Sequence, residues 1–237
     1  MKLLALDSSA VSASAAILDG DKLVGEFFVN TKQTHSQTLM PMVRAVLSNA
    51  NITLKEIDIF AVSVGPGSFT GVRIGVACVK GMAFAQDKPC IGVSTLEAMV
   101  FPLSMLNGIV CGVMDARCRQ VYHGLFRVQN GTVERIGNDC AIAIADLAVL
   151  LEKYAGETIY LVGDGAGLCK ETEEFAALPI QLLPEHLQYQ RAVGVAQCAT
   201  LRLKQGAVAV TAEQLSPLYL RLPQAERELK KKLEGMI

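Results

Sequence analysis

The fold of this chain is decided by the stretch IDIFAVSVGPGSFTGVRIGVACVKGMAFA, which runs from residue 57 to residue 85. Its first eight residues are mainly apolar, partly β-branched and bounded by turn residues, which predicts a buried strand. Pro66 has no backbone N–H and the glycines beside it tolerate positive φ, so the strand ends there. Ser68 can cap the N–H groups of a following helix. The stretch therefore predicts a strand, a tight turn and a helix.

The predicted helix is apolar on nearly every side. Residues 69–85 contain two charged side chains, whereas a surface helix normally keeps one polar face. Gly71 and Gly75 lie one turn apart, and the row continues through Cys78 and Met82. Glycine costs a helix about 1 kcal/mol against alanine, a cost that close approach of another backbone can offset. We therefore expect a helix–helix contact across this row, with another part of the chain or with another protein.

Length and composition exclude several classes of protein. The chain has 237 residues, 51% of them hydrophobic, and a net charge of −1. It lacks the basic excess of a free-standing nucleic-acid binder, and no apolar run reaches the roughly 18–20 residues of a membrane span. Asp7 interrupts the first apolar run, so we expect no signal peptide and a cytoplasmic protein.

The cysteines and histidines show no metal-ligand spacing. Seven cysteines are scattered without a Cys-x-x-Cys pair, which favours small buried apolar residues in a reducing compartment. The histidines are His35, His123 and His186, and we expect no metal site. Ser36 follows the first histidine, but adjacent helical residues point about 100° apart and do not form a nucleophile–base pair.

The order of predicted elements suggests an internal duplication. Strands at 2–7, 11–18 and 23–29, a helix at 34–50 and the central strand–turn–helix are followed by a strand at 90–93 and a short helix. The second part repeats this plan from a strand at 109–115. We therefore predict an α/β fold of two β-β-β-α-β-α units, at 1–104 and 105–210, with a tail at 211–237. The charged stretch 224–232 in that tail is typical of a solvated, partly frayed helix.

Two segments carry the pattern of a capping box, in which Ser or Thr is followed three residues later by Glu or Gln. They begin at Thr34 and Ser94, with Gln37 and Glu97 at the third following position. Both predict the first turn of a helix.

Acidic residues end the first strand of each predicted unit. Asp7 with Ser8, and Asp115, would face one another across a cleft in a duplicated fold, where they could hold a magnesium ion for a nucleotide. The alternative is that each acid only caps a turn. Residues 65–71 form a glycine-rich turn before a helix, which can bind phosphate, but they lack the Lys-Ser/Thr ending of a P-loop.

Several blocks of the chain closely resemble the bacterial TsaB (YeaZ) family. These blocks are the central stretch with its GPGSFTG motif, LALDSS at 4–9, THSQ at 34–37, 89–97 and PLYLR at 217–221. The resemblance implies a two-lobed actin-like (ASKHA) fold. It also implies a role in making threonylcarbamoyladenosine, a modified base beside the anticodon of tRNAs that read codons starting with A.

The resemblance further implies partners and a surface that binds them. The expected partners are a TsaD-like catalytic subunit, a TsaE-like ATPase, tRNA through the complex, and a second copy of the chain when it is alone. The helices at 34–50 and 68–85 would form the contact surface, and Gly75→Leu would block association. The expected interface residues are Thr34, His35, Leu39, Met42, Val43, Val46, Phe69, Gly71, Val72, Gly75, Val76, Cys78, Val79 and Met82.

The chain also departs from the related TsaD-type proteins. They carry a metal-binding His-x-x-x-His motif after the strand that corresponds to 90–93, where this chain has Thr95 and Met99. Neither side chain replaces imidazole as a ligand, so we expect a non-catalytic subunit without a cofactor. The alternatives are an ATP-binding or ATP-hydrolysing enzyme, with ATP and magnesium at an inter-lobe or inter-subunit site around Asp7, Ser8 and Asp115, and, less favoured, a protease.

Overall fold

A computed structural model describes residues 1–31 and 33–221. The stretch 224–232, predicted to be a frayed helix, lies outside the described residues. Within them, ten strands form two five-stranded sheets. None of the described helices is both long and apolar enough to cross a membrane.

The first sheet contains the strands of the N-terminal half in the order β3-β2-β1-β4-β5. Strand β1 pairs antiparallel with β2, and β2 pairs antiparallel with β3, whereas β1, β4 and β5 run parallel. The two hairpins come from short turns, and the parallel pairs are joined through helices, as parallel strands require. The strands are β1 (Lys2–Asp7), β2 (Ala13–Asp19), β3 (Lys22–Val29), β4 (Ile59–Gly65) and β5 (Cys90–Ser94).

The second sheet repeats this arrangement in the order β8-β7-β6-β9-β10. Its first three strands are antiparallel, and β6, β9 and β10 run parallel. The predicted α/β duplication is therefore confirmed at the level of strand order and direction. The strands are β6 (Gly108–Asp115), β7 (Gln120–Gln129), β8 (Thr132–Ala143), β9 (Ile159–Val162) and β10 (Ile180–Leu182).

The described chain contains six α-helices. They are α1 (His35–Ala50), α2 (Phe69–Gln86), α3 (Thr95–Val100), α4 (Ile144–Glu152), α5 (Ala166–Lys170) and α6 (Ala192–Lys204). Helices α1 and α2 pack on the first sheet, over one continuous apolar cluster, and α4 and α5 pack on the second.

The remaining helices, α3 and α6, each pack against the sheet of the other half. In α6, Val195 and Ala199 belong to a buried cluster with Leu3 of β1. In α3, Leu96 packs with Val110 of β6. The hydrophobic core is thus shared across residue 104, and the division at 104/105 stays a prediction about the chain.

The two predicted capping boxes differ in the structure. Thr34 is the residue before α1, but its hydroxyl lies 3.2 Å from the Ser36 hydroxyl and does not cap the helix. Ser94 does accept the Glu97 backbone N–H at 3.2 Å. The Glu97 carboxylate does not return to Ser94 and instead accepts bonds from Arg135 and Arg202. Burial opposes ionisation of Glu97, but these two guanidinium groups lower its pKa.

Candidate functional site

Two glycines of α2, Gly71 and Gly75, lie against the chain's own first hairpin. Ser68 accepts the Gly71 N–H at 3.2 Å, so the predicted helix start is confirmed. A Cβ at Gly71 would lie 2.1 Å from the Ser8 carbonyl oxygen, and one at Gly75 would lie 2.7 Å from the Ser8 hydroxyl. The close backbone approach is therefore made by the turn between β1 and β2, which corrects the expected helix–helix contact across this row.

Most of the expected interface residues are buried inside the first half. They are Leu39, Met42, Val43, Val46, Gly71, Val72, Gly75, Val76, Val79 and Met82. The apolar members of this set belong to the cluster that α1 and α2 form with the first sheet, and the two glycines lie against the first hairpin. Of the remaining four, Thr34 is exposed, and His35, Phe69 and Cys78 are half-buried.

The outward face of α2 carries a different row of residues. Thr70, Ile74, Ala77, Gly81 and Phe84 follow one another at spacings of four, three, four and three residues; we call them the outer stripe. Phe84 is 72% exposed, and a Cβ at Gly81 would meet nothing within 4 Å. The sequence analysis did not predict this row because both faces of the helix are apolar. The alternating spacing of four and three residues is the signal that could have indicated it.

A groove adjoins the outer stripe at the starts of α1 and α2. His35, Thr70 and Ile74 contribute to its lining, together with Val11 from the first hairpin. A ring nitrogen of His35 lies 2.6 Å from the Ala10 carbonyl oxygen, which fixes the imidazole against that hairpin. The imidazole therefore has a structural partner other than Ser36.

Asp7 and Ser8 are enclosed in the first half. The Asp7 carboxylate is fully buried and accepts bonds from the Ser9 N–H (2.9 Å), the Ser9 hydroxyl (2.8 Å) and the Ser63 hydroxyl. Burial raises the pKa of Asp7, although these hydrogen bonds oppose the shift. The Ser8 hydroxyl donates to the Gly71 carbonyl at 2.9 Å. Neither residue lines the cleft between the halves, and both fasten the first hairpin to β4 and α2.

Asp115 does line that cleft, whose volume is about 670 Å³. Its carboxylate accepts the Arg117 N–H at 2.7 Å, so it also caps the turn after β6. Its own N–H donates to Asp164 at 3.2 Å. Burial, together with the charge of Asp115, raises the pKa of Asp164. The structure thus places Asp115 beside Asp164, a residue that sequence reasoning missed, and not beside Asp7; a nucleotide site here stays a prediction.

The residues at the two histidine positions of TsaD-type proteins are buried. Thr95 is fully buried with no hydrogen-bond partner for its hydroxyl, and Met99 packs between the sheets. Within residues 1–31 and 33–221, no group of three or more His, Cys, Asp or Glu residues could hold a metal ion. The chemistry available at these positions is therefore that of a packed core.

The cysteines divide into buried and exposed residues. All seven are free thiols, and Cys90, Cys111, Cys169 and Cys198 are buried, as the sequence predicts. Burial raises the pKa of Cys169 to about 12. Cys118 and Cys140 are exposed instead.

The repeated sheets and the cleft between them define an actin-like (ASKHA) α/β protein. The family model described as TsaD, tRNA N6-adenosine threonylcarbamoyltransferase, matches residues 26–229. A protein of Bacillus subtilis named tRNA threonylcarbamoyladenosine biosynthesis protein TsaB is 30% identical over 232 residues, which cover 95% of this chain and 96% of that protein. This chain belongs to the TsaB (YeaZ) family.

Two further similarities agree with this assignment. The TsaB protein of Escherichia coli is 37% identical over 134 residues, which cover 55% of this chain and 58% of that protein. The structure of YeaZ from Pseudomonas aeruginosa matches with a TM-score of 0.80 at 29% identity, covering 92% of this chain and 99% of that chain. The fold similarity therefore extends over both halves.

Proposed function

We propose that this protein is a non-catalytic subunit in the biosynthesis of threonylcarbamoyladenosine in tRNA, and that it binds a TsaD-like catalytic subunit in the cytoplasm. Membership of the TsaB family supports the pathway, because the relatives carry its name. The single observation that carries the binding role is the outer stripe of α2, a row of small and apolar residues that is exposed except at the half-buried Ile74 and ends at the exposed Phe84.

The outer stripe has the properties of a helix-packing surface. Its alternating spacing of four and three residues is that of a seam between two helices. Ala77 and Gly81 allow a second backbone to come close, and Phe84 supplies an aromatic anchor of the kind enriched at interfaces. On α1, Pro41 and Arg44 are exposed and Met40 is half-buried, and they widen this face. Two such helices from each partner would bury roughly 1,200–2,000 Å².

The same face would serve a second copy of the chain. In isolation the protein would form a homodimer through α1 and α2, which a TsaD-like subunit would replace. A TsaE-like ATPase would join the resulting complex, and tRNA would be contacted through it. Because one face serves both partners, homodimer and heterodimer exclude each other.

The absence of catalysis is proposed from the two histidine positions. Thr95 and Met99 stand there; Thr95 is fully buried, and Met99 packs among apolar residues of α3 and the second sheet. A metal-dependent transfer would need imidazole or carboxylate ligands at an open position. We therefore assign the transfer chemistry to the partner.

Gly81→Leu tests the docking face. The new side chain enters open space, so the chain should fold, while the bulk should prevent close approach of a partner helix. We expect loss of co-purification with the TsaD-like subunit and a monomer in size-exclusion chromatography with light scattering. Gly167→Leu, at a helical glycine of α5 that is equally open, is the matched control and should bind normally. Partner binding that survives Gly81→Leu would contradict this assignment.

Gly75→Leu, the substitution that the sequence suggests, is not a test of docking. A side chain at Gly75 would meet the Ser8 hydroxyl at 2.7 Å and Val62 at 3.3 Å, inside the folded half. We expect Gly75→Leu to impair folding, so a loss of partner binding could result from misfolding or from a blocked interface.

The alternative function, binding or hydrolysis of ATP, has one observation in its favour. The cleft of about 670 Å³ is large enough for a nucleotide and is lined by Asp115, Asp164 and Arg117. Calorimetry with Mg-ATP on the isolated protein separates the two proposals. Tight binding that is lost with Asp115→Ala would favour the enzyme; Asp7→Ala is unsuitable because Asp7 is buried.

A further inference from the structure

The segment after α6 begins by covering an edge of the first sheet. Val210 exchanges two backbone hydrogen bonds of 2.8 Å with Cys90 of β5, the last strand of that sheet. The Leu215 side chain enters the core, and the Lys80 ammonium of α2 donates to the Leu215 carbonyl at 2.9 Å. The chain then continues as residues 216–221, which we call the strap.

The strap is fastened to the first turn of α2. The Leu218 N–H donates to the Val64 carbonyl at the end of β4, at 2.7 Å. The Tyr219 ring stacks on the Phe69 ring with centroids 4.7 Å apart, and its hydroxyl accepts the Arg73 Nε–H at 2.8 Å. The Arg73 guanidinium lies 3.7 Å above the Phe69 ring. One aromatic side chain therefore joins the strap to two residues of α2.

The strap ends on the second half of the molecule. The Arg221 guanidinium donates to the carbonyl of Ala116, in the turn between β6 and β7. The next three residues, Arg117, Cys118 and Arg119, have φ values of 64°, 57° and 56°. Non-glycine residues adopt this left-handed conformation at an energetic cost and persist in it when surrounding contacts fix them. Arg221 supplies one such contact at the start of the turn.

Other contacts of this turn come from the second half itself. Asp115 accepts the Arg117 N–H, the Gln120 N–H donates to the Arg117 carbonyl at 3.2 Å, and the Ile144 N–H donates to the Arg119 carbonyl at 3.1 Å. Arg221 differs from these contacts because it belongs to the strap, which is hydrogen-bonded to the first half. The turn also supplies Asp115 and Arg117 to the wall of the cleft.

We propose that the strap is a tie that couples the first turn of α2 to the left-handed β6–β7 turn and so fixes the opening of the cleft. The coupling runs through a chain of contacts: Phe69 and Arg73 contact Tyr219, and Arg221, two residues further on, bonds to Ala116. A change at the start of α2 is thereby transmitted to the wall of the cleft. The coupling is a property of the isolated chain and does not depend on the proposed partner.

Hydrogen–deuterium exchange on the full chain, measured by mass spectrometry, tests the tie. In Arg221→Met, exchange of peptides that cover 116–120 should accelerate about tenfold, since a hydrogen bond from a charged donor contributes on that order. A peptide that covers β9 serves as the reference within the molecule. Lys153→Met, which removes an exposed charge at the end of α4, should leave the turn unchanged. Unchanged exchange in Arg221→Met, or equal acceleration in β9, would overturn the proposal.

Tyr219→Phe tests transmission separately from the Arg221 bond. This variant keeps the ring on Phe69 and loses the hydroxyl that accepts from Arg73. Because the Tyr219 hydroxyl bonds to Arg73 and not to the β6–β7 turn, faster exchange at 116–120 would indicate that the effect is transmitted along the strap. We expect acceleration of about threefold there, below that of Arg221→Met, for the loss of one peripheral hydrogen bond. An effect confined to residues 68–75 would overturn the coupling.

Discussion

At the scale of the residue, glycine in α2 has a packing role within the chain. Gly71 and Gly75 leave room for Ser8, whose carbonyl and hydroxyl occupy the space of the missing side chains. The sequence predicted that a backbone approaches this row but not which one. A helix that is apolar on both faces gives no polar side from which the inner face can be recognised.

The two kinds of glycine in α2 should respond oppositely to alanine. Gly71→Ala forces a methyl group against the Ser8 carbonyl and should lower the free energy of unfolding by about 1–3 kcal/mol. Gly81→Ala, in open space, should raise it by about 1 kcal/mol through helix propensity. Urea denaturation of both variants measures the difference, and equal effects would contradict the assigned inner face.

Asp7 gives stability a specific dependence on pH. Its folded-state pKa is raised, so the folded chain binds this proton more tightly than the unfolded chain, whose Asp pKa is about 3.9. The stability that Asp7 contributes is complete below the unfolded-state pKa and is lost as the pH rises through the folded-state pKa. The melting temperature of the wild type minus that of Asp7→Asn should therefore fall from about pH 4 upward. A difference that is constant or widens with pH would contradict the burial of this carboxyl.

At the scale of the element, the sequence predicted where helices begin better than what their side chains contact. The pattern at Ser94 correctly placed the start of α3, and Ser68 that of α2. Glu97, however, bonds to Arg135 of β8 and Arg202 of α6 instead of to its own helix. The spacing of residues within one helix cannot predict these partners, because they lie 38 and 105 residues away in the chain.

Glu97→Gln should weaken the junction of α3, β8 and α6. Glu97→Gln leaves two guanidinium groups without the negative charge that they share, and loss of a charged partner costs about 3–5 kcal/mol for a fully buried pair. Because both arginines are partly exposed, we expect roughly 1–3 kcal/mol in urea denaturation. Glu152→Gln, at an exposed position of α4, should cost under about 0.5 kcal/mol. Similar losses in both variants would refute a specific role for Glu97.

At the scale of the whole molecule, duplication was predictable and the joining of the halves was not. Hydrophobic runs and turn residues gave the repeated strand order, which depends on local chemistry. The exchange of α3 and α6 between the sheets depends on packing between distant segments. The lining of the cleft could not be predicted for the same reason, because Asp164 and Arg221 come from separate parts of the chain.

The central claim is that this protein supports transfer without performing it. Its most direct test is a reconstituted reaction in which threonylcarbamoyl transfer to tRNA is measured. The reaction contains a threonylcarbamoyl donor, unmodified tRNA, the purified TsaD-like and TsaE-like subunits and this protein. We predict that product formation is lost when this protein is omitted or replaced by Gly81→Leu, and is retained with Gly167→Leu. Transfer that proceeds equally well without this protein, or transfer by this protein without the TsaD-like subunit, would contradict the account.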